Sequence, residues 1–244
     1  MPPWPSVSKS WDMFEKLNLV AIDGPSGVGK STVSKKVAAI LGYTYLDTGA
    51  MYRGVGFYLQ TEQVDLENAL DIQDALSRLD LQLTPAQQEL DDVGVIVNGK
   101  NVSDAIRSSE MAMVASAVSA IPQVRVVLTE LQKSYGRNGR IVAEGRDMGT
   151  VVFPGAEHKF FLDAEPEERA RRRVQQLQQR GMEAQYPEIL EMILKRDKND
   201  SERKIAPLKQ AADAILVDTT DITVDDVVAL IVAKIAKSKE TQRP

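Results

Sequence analysis

Val20-Ala21-Ile22-Asp23-Gly24-Pro25-Ser26-Gly27-Val28-Gly29-Lys30-Ser31-Thr32 is the stretch whose reading decides the fold. It reads as a strand, a glycine-rich turn and a helix start. Gly24, four intervening residues and Gly29-Lys30-Ser31 match the spacing of a phosphate-binding loop. The apolar run over 17–22 predicts a buried parallel strand. Residues 32–41 carry Val33, Val37, Ile40 and Leu41 at helical spacing.

The residue types follow from the physics of such a turn. Gly24, Gly27 and Gly29 tolerate φ > 0 and let backbone approach a ligand closely. Successive N–H groups along the loop then line an anion-binding nest at a helix N-terminus. Lys30 supplies a point charge for β- and γ-phosphates, and the Ser31 hydroxyl suits Mg²⁺. The motif implies a nucleoside triphosphate and leaves open what becomes of it.

Composition narrows the choices. The chain has 244 residues, 43% hydrophobic and 27% charged, as a soluble globular protein has. A net charge of −5 argues against a general nucleic-acid surface. There is no cysteine and one histidine, His158. Disulfides, thiolate catalysis and His-based triads or metal clusters are therefore excluded, and a reducing cytoplasm is expected. No apolar run reaches the ~18 residues of a membrane span. Residues 1–16 read as a tail with a short helix over 11–16, in which Trp4 and Trp11 offer a partner-binding option. The rest, 17–244, reads as one core with insertions over 60–105 and 165–200.

Along that core, 43–46 reads as a second strand ending in Asp47-Thr48-Gly49-Ala50-Met51-Tyr52-Arg53. Ligands in open α/β sheets bind beyond the carboxyl ends of strands, so this turn should face the phosphate loop. Arg53, one turn into the next helix, suits bidentate phosphate binding. An acidic helix is expected over 65–77, a half-buried strand over 79–83, and a hairpin over 93–102 about Asn98-Gly99. Pro85-Ala86-Gln87-Gln88 reads as a loop. Helices over 105–119 and 124–135 flank Pro122. Strands follow at 141–143, 159–162 and 214–217, the first ending in Glu144-Gly145-Arg146-Asp147. Thr223 should cap a final helix. Between the last two strands lie charged helices over 166–180 and 187–199. Gly181 should end the first, which carries Arg169, Arg171, Arg172 and Arg173. So many arginines after a phosphate loop favour a phosphate-closing lid.

The candidate chemistry is phosphoryl transfer, which works by positioning and electrostatics. Lys30, Arg53, Arg146, Arg172, Arg173, Arg196 and Arg203 supply the charge. A phosphate monoester acceptor, already largely anionic at pH 7, needs no general base. An alcohol acceptor would want a placed carboxylate such as Asp47, so this point leaves both open. No Asn-Lys-x-Asp guanine motif occurs.

The chain resembles the bacterial-type cytidylate kinases. The residues that carry the resemblance are 22–31, 46–53, Gly145-Arg146-Asp147-Met148-Gly149-Thr150-Val151-Val152-Phe153-Pro154, and Arg196-Asp197 through Arg203 to Ala206-Pro207-Leu208. They span about 18–237. The resemblance implies a doubly wound α/β fold with a five-stranded parallel sheet. It also implies an inserted monophosphate-binding domain, containing a small antiparallel sheet, and a helical lid. It implies that Thr48, Arg53 and Arg146 hold the acceptor phosphate, and that Ser116, Arg125 and Asp147 read cytosine. Arg196 and Asp200 would contact the ribose, Arg203 would close on phosphate, and Arg172 and Arg173 would be lid arginines at the transferring group. The family often has Ser where this chain has Thr48; the hydroxyl remains. The expected reaction is ATP- and Mg²⁺-dependent phosphorylation of CMP and dCMP by a cytoplasmic monomer. Rival readings are another small-acceptor kinase (UMP/CMP, shikimate or dephospho-coenzyme A) and a non-catalytic nucleotide-binding regulator.

Overall fold

The computed structural model describes residues 18–86, 91–179 and 181–241. In chain order the elements are β1 (Leu19–Asp23), α1 (Lys30–Leu41), β2 (Thr44–Asp47), α2 (Thr48–Thr61), α3 (Ala69–Ser77), β3 (Leu81–Thr84), β4 (Gly94–Val97), β5 (Lys100–Asn101), α4 (Ser109–Val118) and α5 (Pro122–Gly136). Then come β6 (Ile141–Gly145), one π-helical turn (Met148–Val152), β7 (His158–Asp163), α6 (Pro166–Gln179), α7 (Tyr186–Glu202), β8 (Ile215–Asp218) and α8 (Val224–Thr241).

β1 is wholly buried and lies at the centre of a five-stranded sheet of order β2-β6-β1-β7-β8. Its pairings with β6 and β7 are parallel, as are β2–β6 and β7–β8. Burial on both faces explains why β1 is apolar from Leu19 through Ile22. Val20 and Ile22 pack with Val33 and Val37 of α1 and with Val227, Val228 and Ile231 of α8. Leu19 and Ala21 face the opposite way, into a core with Met51, Val55 and Leu59 of α2 and Val124 and Leu128 of α5. Each large apolar side chain among these, fully buried, contributes about 1.5–3 kcal/mol. The chain turns from one side of β1 to the other between β6 and β7, and the loop after β1 sits at that switch point.

A second, antiparallel sheet of order β3-β4-β5 packs through Leu81, Val95 and Val97 on the α2 side of the core. Its Asn98-Gly99 turn has φ of 46° and 76°, as a two-residue hairpin turn requires. Helix α4 lies close against α2 at Gly56, where a Cβ would come within 2.7 Å of Val114.

Element starts differ from the sequence expectation where a better cap lies downstream. The acidic helix begins at Ala69 rather than 65 because the Asn68 side chain accepts from the N–H groups of Leu70 and Asp71. Asp65 only closes a turn on the Glu67 N–H. Helix α4 begins at Ser109 rather than 105 because Ser108 accepts from Met111 N–H at 3.0 Å. The strand expected over 79–83 runs Leu81–Thr84, and the second charged helix runs Tyr186–Glu202. Pro122 opens α5 at its first turn. Thr223 receives the Asp226 N–H and donates to its carboxylate, capping α8. No single helix among the described residues is long and apolar enough to cross a membrane. The expected 11–16 helix, Trp4, Trp11 and loop residues Gln87 and Gln88 lie outside the described residues.

Candidate active site

The strand ends open into one cleft of about 1270 Å³, large enough for two nucleotides. Its floor is the loop after β1. Gly24 has φ +149°, and a Cβ there would fall 2.1 Å from the Leu162 carbonyl oxygen, so only glycine fits. Gly29, at φ 89°, precedes the first residue of α1. Lys30 is buried and donates to the Pro25 carbonyl at 2.6 Å. Burial, then repulsion from Arg146 and Arg196, holds its pKa well below the usual lysine value, against the pull of Glu144 and Asp23. An anion in the loop would restore the favour to the charged amine.

Ser31 lines the same cleft beside Glu144. Glu144 is buried at the end of β6 and accepts from the Tyr45 hydroxyl through Oε1. Its Oε2 is buried without a hydrogen bond. Burial and the nearby Asp47 raise its pKa, so a cation would be welcome there. Among the described residues no cluster of three or more acidic or histidine ligands forms. Mg²⁺ needs fewer, since it binds through one or two protein oxygens plus substrate phosphates. The donor set therefore fits that ion.

A second wall of the cleft begins where β2 meets α2. Asp47 caps α2, receiving the Ala50 N–H at 2.8 Å, and faces Arg53 at 3.3 Å. Thr48 donates to the Glu144 carbonyl at 2.7 Å. Deeper in, Arg125 of α5 and Asp147 form a buried ion pair, with Arg203 3.5 Å from the other carboxylate oxygen. Arg203 also donates to the Ser119 hydroxyl at 2.8 Å, and Tyr52 lies under the Arg125 guanidinium at 5.8 Å. Burial raises the pKa of Asp147 despite these arginines.

Asp200 is the second hub. It accepts from Ser116 at 2.8 Å and from Arg146 at 2.9 Å, with Arg196 at 3.9 Å. Burial pushes its pKa up, but Arg146 and Arg196 together pull it below the usual carboxylate value. Burial and the neighbouring Arg146 lower Arg196 to about 10. Arg53 Nε, Arg196 Nε and Arg203 Nη2 are buried with no hydrogen bond. Cations crowded this way, with donors unspent, are arranged for anions.

The two helices α6 and α7 pack on each other and lie over the loop. Arg196 donates to the Ser26 hydroxyl at 3.2 Å. Arg172 spends donors on the Thr219 and Thr220 carbonyls and on Glu168, and Arg173 on Ser109 and Gln176. Both arginines line the cleft. Gly181, at φ 72°, follows α6.

Four residues join the site that the sequence does not single out. Asp23 accepts from the N–H groups of Met148 and Gly149 at 2.8 and 2.7 Å. Glu144 is visible in sequence only as part of a polar strand end. Arg169, the one buried arginine of α6, donates to the Ser26 carbonyl at 3.1 Å and to Asp197 at 2.6 Å, tying α6 and α7 to the loop. Lys35 of α1 reaches Asp92 at 2.5 Å, joining the loop's helix to the chain just before β4. A charged residue at a strand's carboxyl end is the available signal for Asp23 and Glu144; the other two depend on long-range packing.

A family model described as cytidylate kinase matches residues 20–237. The chain is 48% identical over 212 residues to the cytidylate kinase of Fervidobacterium nodosum, covering 87% of this chain and 93% of that protein. It is 43% identical over 221 residues to that of Carboxydothermus hydrogenoformans, covering 91% and 98%. Among solved structures, a gluconokinase from Sinorhizobium meliloti 1021 aligns with a TM-score of 0.46 at 14% identity, covering 93% of this chain and 96% of that one. With the phosphate loop, the two sheets and the Gly145–Pro154 segment inside the matched range, the chain belongs to the cytidylate kinase family.

Proposed function

We propose that the protein transfers the γ-phosphoryl group of ATP to CMP, and to dCMP, giving CDP or dCDP and ADP. The observation that carries this reading is the Asp147 carboxylate just after β6, which lines the cleft floored by the phosphate loop and is paired with the buried Arg125 of α5. A carboxylate accepts from the cytosine N4 amino group, as acidic side chains do in base readout. Arg125, buried beside that carboxylate, would donate to O2 and N3, and Ser116 lines the cleft together with Asp147. Uracil would turn O4 toward the carboxylate, two acceptors facing each other.

The loop from Gly24 through Pro25, Ser26, Gly27, Val28 and Gly29 to Lys30, Ser31 and Thr32 holds the ATP phosphates. Thr48, Arg53, Arg146 and Arg203 hold the CMP phosphate, while Arg196 and Asp200 meet the ribose. The acceptor's phosphate oxygen attacks in line; its charge at pH 7 makes a general base unnecessary. Lys30, Arg146 and Arg196 then face the charge that spreads over the transferring group, joined by Arg172 and Arg173 once released from their present partners. Mg²⁺, held by Ser31 with Glu144 beside it, would neutralise the β- and γ-phosphate oxygens. The segment over 60–105 closes from the acceptor side and the lid over 165–200 from the donor side, excluding water.

One chain carries every group named, so a monomer suffices. The net charge of −5 and the cysteine-free sequence support a cytoplasmic protein that binds neither nucleic acid nor membrane. The test is ADP release with CMP, dCMP, UMP, AMP and shikimate as acceptors. CMP and dCMP should turn over fastest. No turnover with CMP while another acceptor reacts would discard this reading, and ATP binding without transfer to any acceptor would favour a regulator.

A further inference from the structure

We infer that Asp23 is a positioning residue for base selectivity: it fixes the backbone that aims Asp147 at the cytosine and ties that backbone to the donor loop. The inference rests on Asp147 reading the base.

Asp23 ends β1 and directly precedes Gly24. Its carboxylate does not face the open cleft; it is 4% exposed. Each oxygen is committed to one backbone donor, Oδ1 to Met148 at 2.8 Å and Oδ2 to Gly149 at 2.7 Å. These are the two residues immediately after Asp147. In the π-helical turn that follows, the N–H groups of Val151 and Val152 both return to the Asp147 carbonyl, at 2.9 and 3.2 Å. The peptide leaving Asp147 is thus held on both sides, by Asp23 through the amides and by the turn through the carbonyl. Asp147 itself has φ −147° and ψ 24°, outside any regular element. Without Asp23, nothing within β1 would bind the Met148 and Gly149 amides, and the Asp147 side chain would lose its fixed direction.

Retaining this carboxylate is unfavourable for the fold alone. Burial, with some repulsion from Asp147, pushes its pKa up to about 6 against the pull of the two amides and Lys30. A neutral side chain would be easier to bury. The two charge-assisted hydrogen bonds need a group with two acceptors and no donor, and at this size only Asp offers that. Its position also makes the base-reading backbone and the first residue of the phosphate loop move as one.

The experiment is steady-state kinetics of Asp23→Asn with CMP, UMP and ATP. An amide of the same shape accepts from one N–H but presents its own N–H₂ to the other. KM for CMP should rise about tenfold or more and the CMP:UMP ratio in kcat/KM should fall by a similar factor. KM for ATP should change less than about threefold. Gly149→Ala approaches the same contact from the other side, since its Cβ would lie 3.4 Å from Asp23 Oδ2 and 3.2 Å from Lys159 Cδ. It should shift the CMP:UMP ratio in the same direction by a smaller factor, and it decides the matter if Asp23→Asn does not fold. A lower kcat with KM for CMP and the CMP:UMP ratio unchanged would make Asp23 a fold support only and overturn the inference. Asp147→Asn run alongside separates the two failures. If it alters selectivity and the Asp23 and Gly149 variants do not, only the inference falls; if none of them does, the base-reading assignment falls too.

Discussion

Replacing Asp147 by asparagine changes one atom and should reverse the hydrogen-bonding sense of the base site. Arg125 and Arg203 face the two carboxylate oxygens of Asp147, and both are donors only. The substituted amide must therefore turn its oxygen to Arg125, which is in direct hydrogen-bond contact, whereas Arg203 stands 3.5 Å away, beyond the usual N–H···O length. That leaves the N–H₂ pointing toward Arg203 and the base, where it can donate to O4 of uracil but not accept from N4 of cytosine. Losing a hydrogen bond to a charged group removes about 1.5–3 kcal/mol from CMP, and relief of the facing acceptors returns about 1–3 kcal/mol to UMP. Together these are about 2.5–6 kcal/mol, so the CMP:UMP ratio in kcat/KM should fall by about 70-fold to about 10⁴-fold. Weakening a buried pair will also lower stability, but a ratio measured on one preparation cancels the fraction that is folded. Coupled ADP release with each acceptor at saturating ATP gives the numbers. A ratio equal to that of the wild type would refute the assignment of Asp147 to the base.

Lys30→Ala should lose most turnover, at least about a hundredfold in kcat, because the developing charge loses its buried cation; near-normal kcat would contradict the phosphate-loop role. Asp23 gives a pH signature in stability. Its pKa is about 6 in the fold against 3.8 in the unfolded chain, so between those values the folded state binds the extra proton and stability rises as pH falls. Wild type should therefore gain about 3 kcal/mol relative to Asp23→Asn between pH 7 and pH 3.5, and a pH-independent difference in denaturant unfolding would contradict the burial argument. Asp92→Asn weakens a tie between α1 and the chain before β4 whose acid partner is 43% exposed, so stability should change by under about 1 kcal/mol while KM for CMP rises severalfold. Unchanged CMP kinetics would make that ion pair incidental.

The parallel core is legible in the sequence because its signals are local. An apolar strand, a glycine turn and a 3.6-period helix lie consecutively over 19–41, and the later strands each end in a polar cluster. Asn98-Gly99 marks the hairpin for the same reason. Helix starts at 69 and 109 are harder to place because Asp65 and Ala105 extend the helical pattern upstream of the true caps, Asn68 and Ser108. The arginines are visible as a set, but their partners are not. Arg172 and Arg173 look alike in sequence, yet one is held by carbonyls after β8 and the other by Ser109 of α4. Arg169 stands in the same basic helix and is the buried one, because it faces Ser26 and Asp197 rather than solvent. Spacing along one helix cannot report which side another segment will cover. Asp23 stands immediately before the loop motif, but its part cannot be read there, since its two donors come from residues 148 and 149, on a neighbouring strand's exit.

The most direct test of the account is a crystal structure with CMP bound. The account predicts cytosine N4 within about 3.2 Å of an Asp147 carboxylate oxygen, Arg125 donating to O2 or N3, and the phosphate among Arg53, Arg146 and Arg203. A base seated elsewhere, with the Asp147–Arg125 pair untouched, would contradict it.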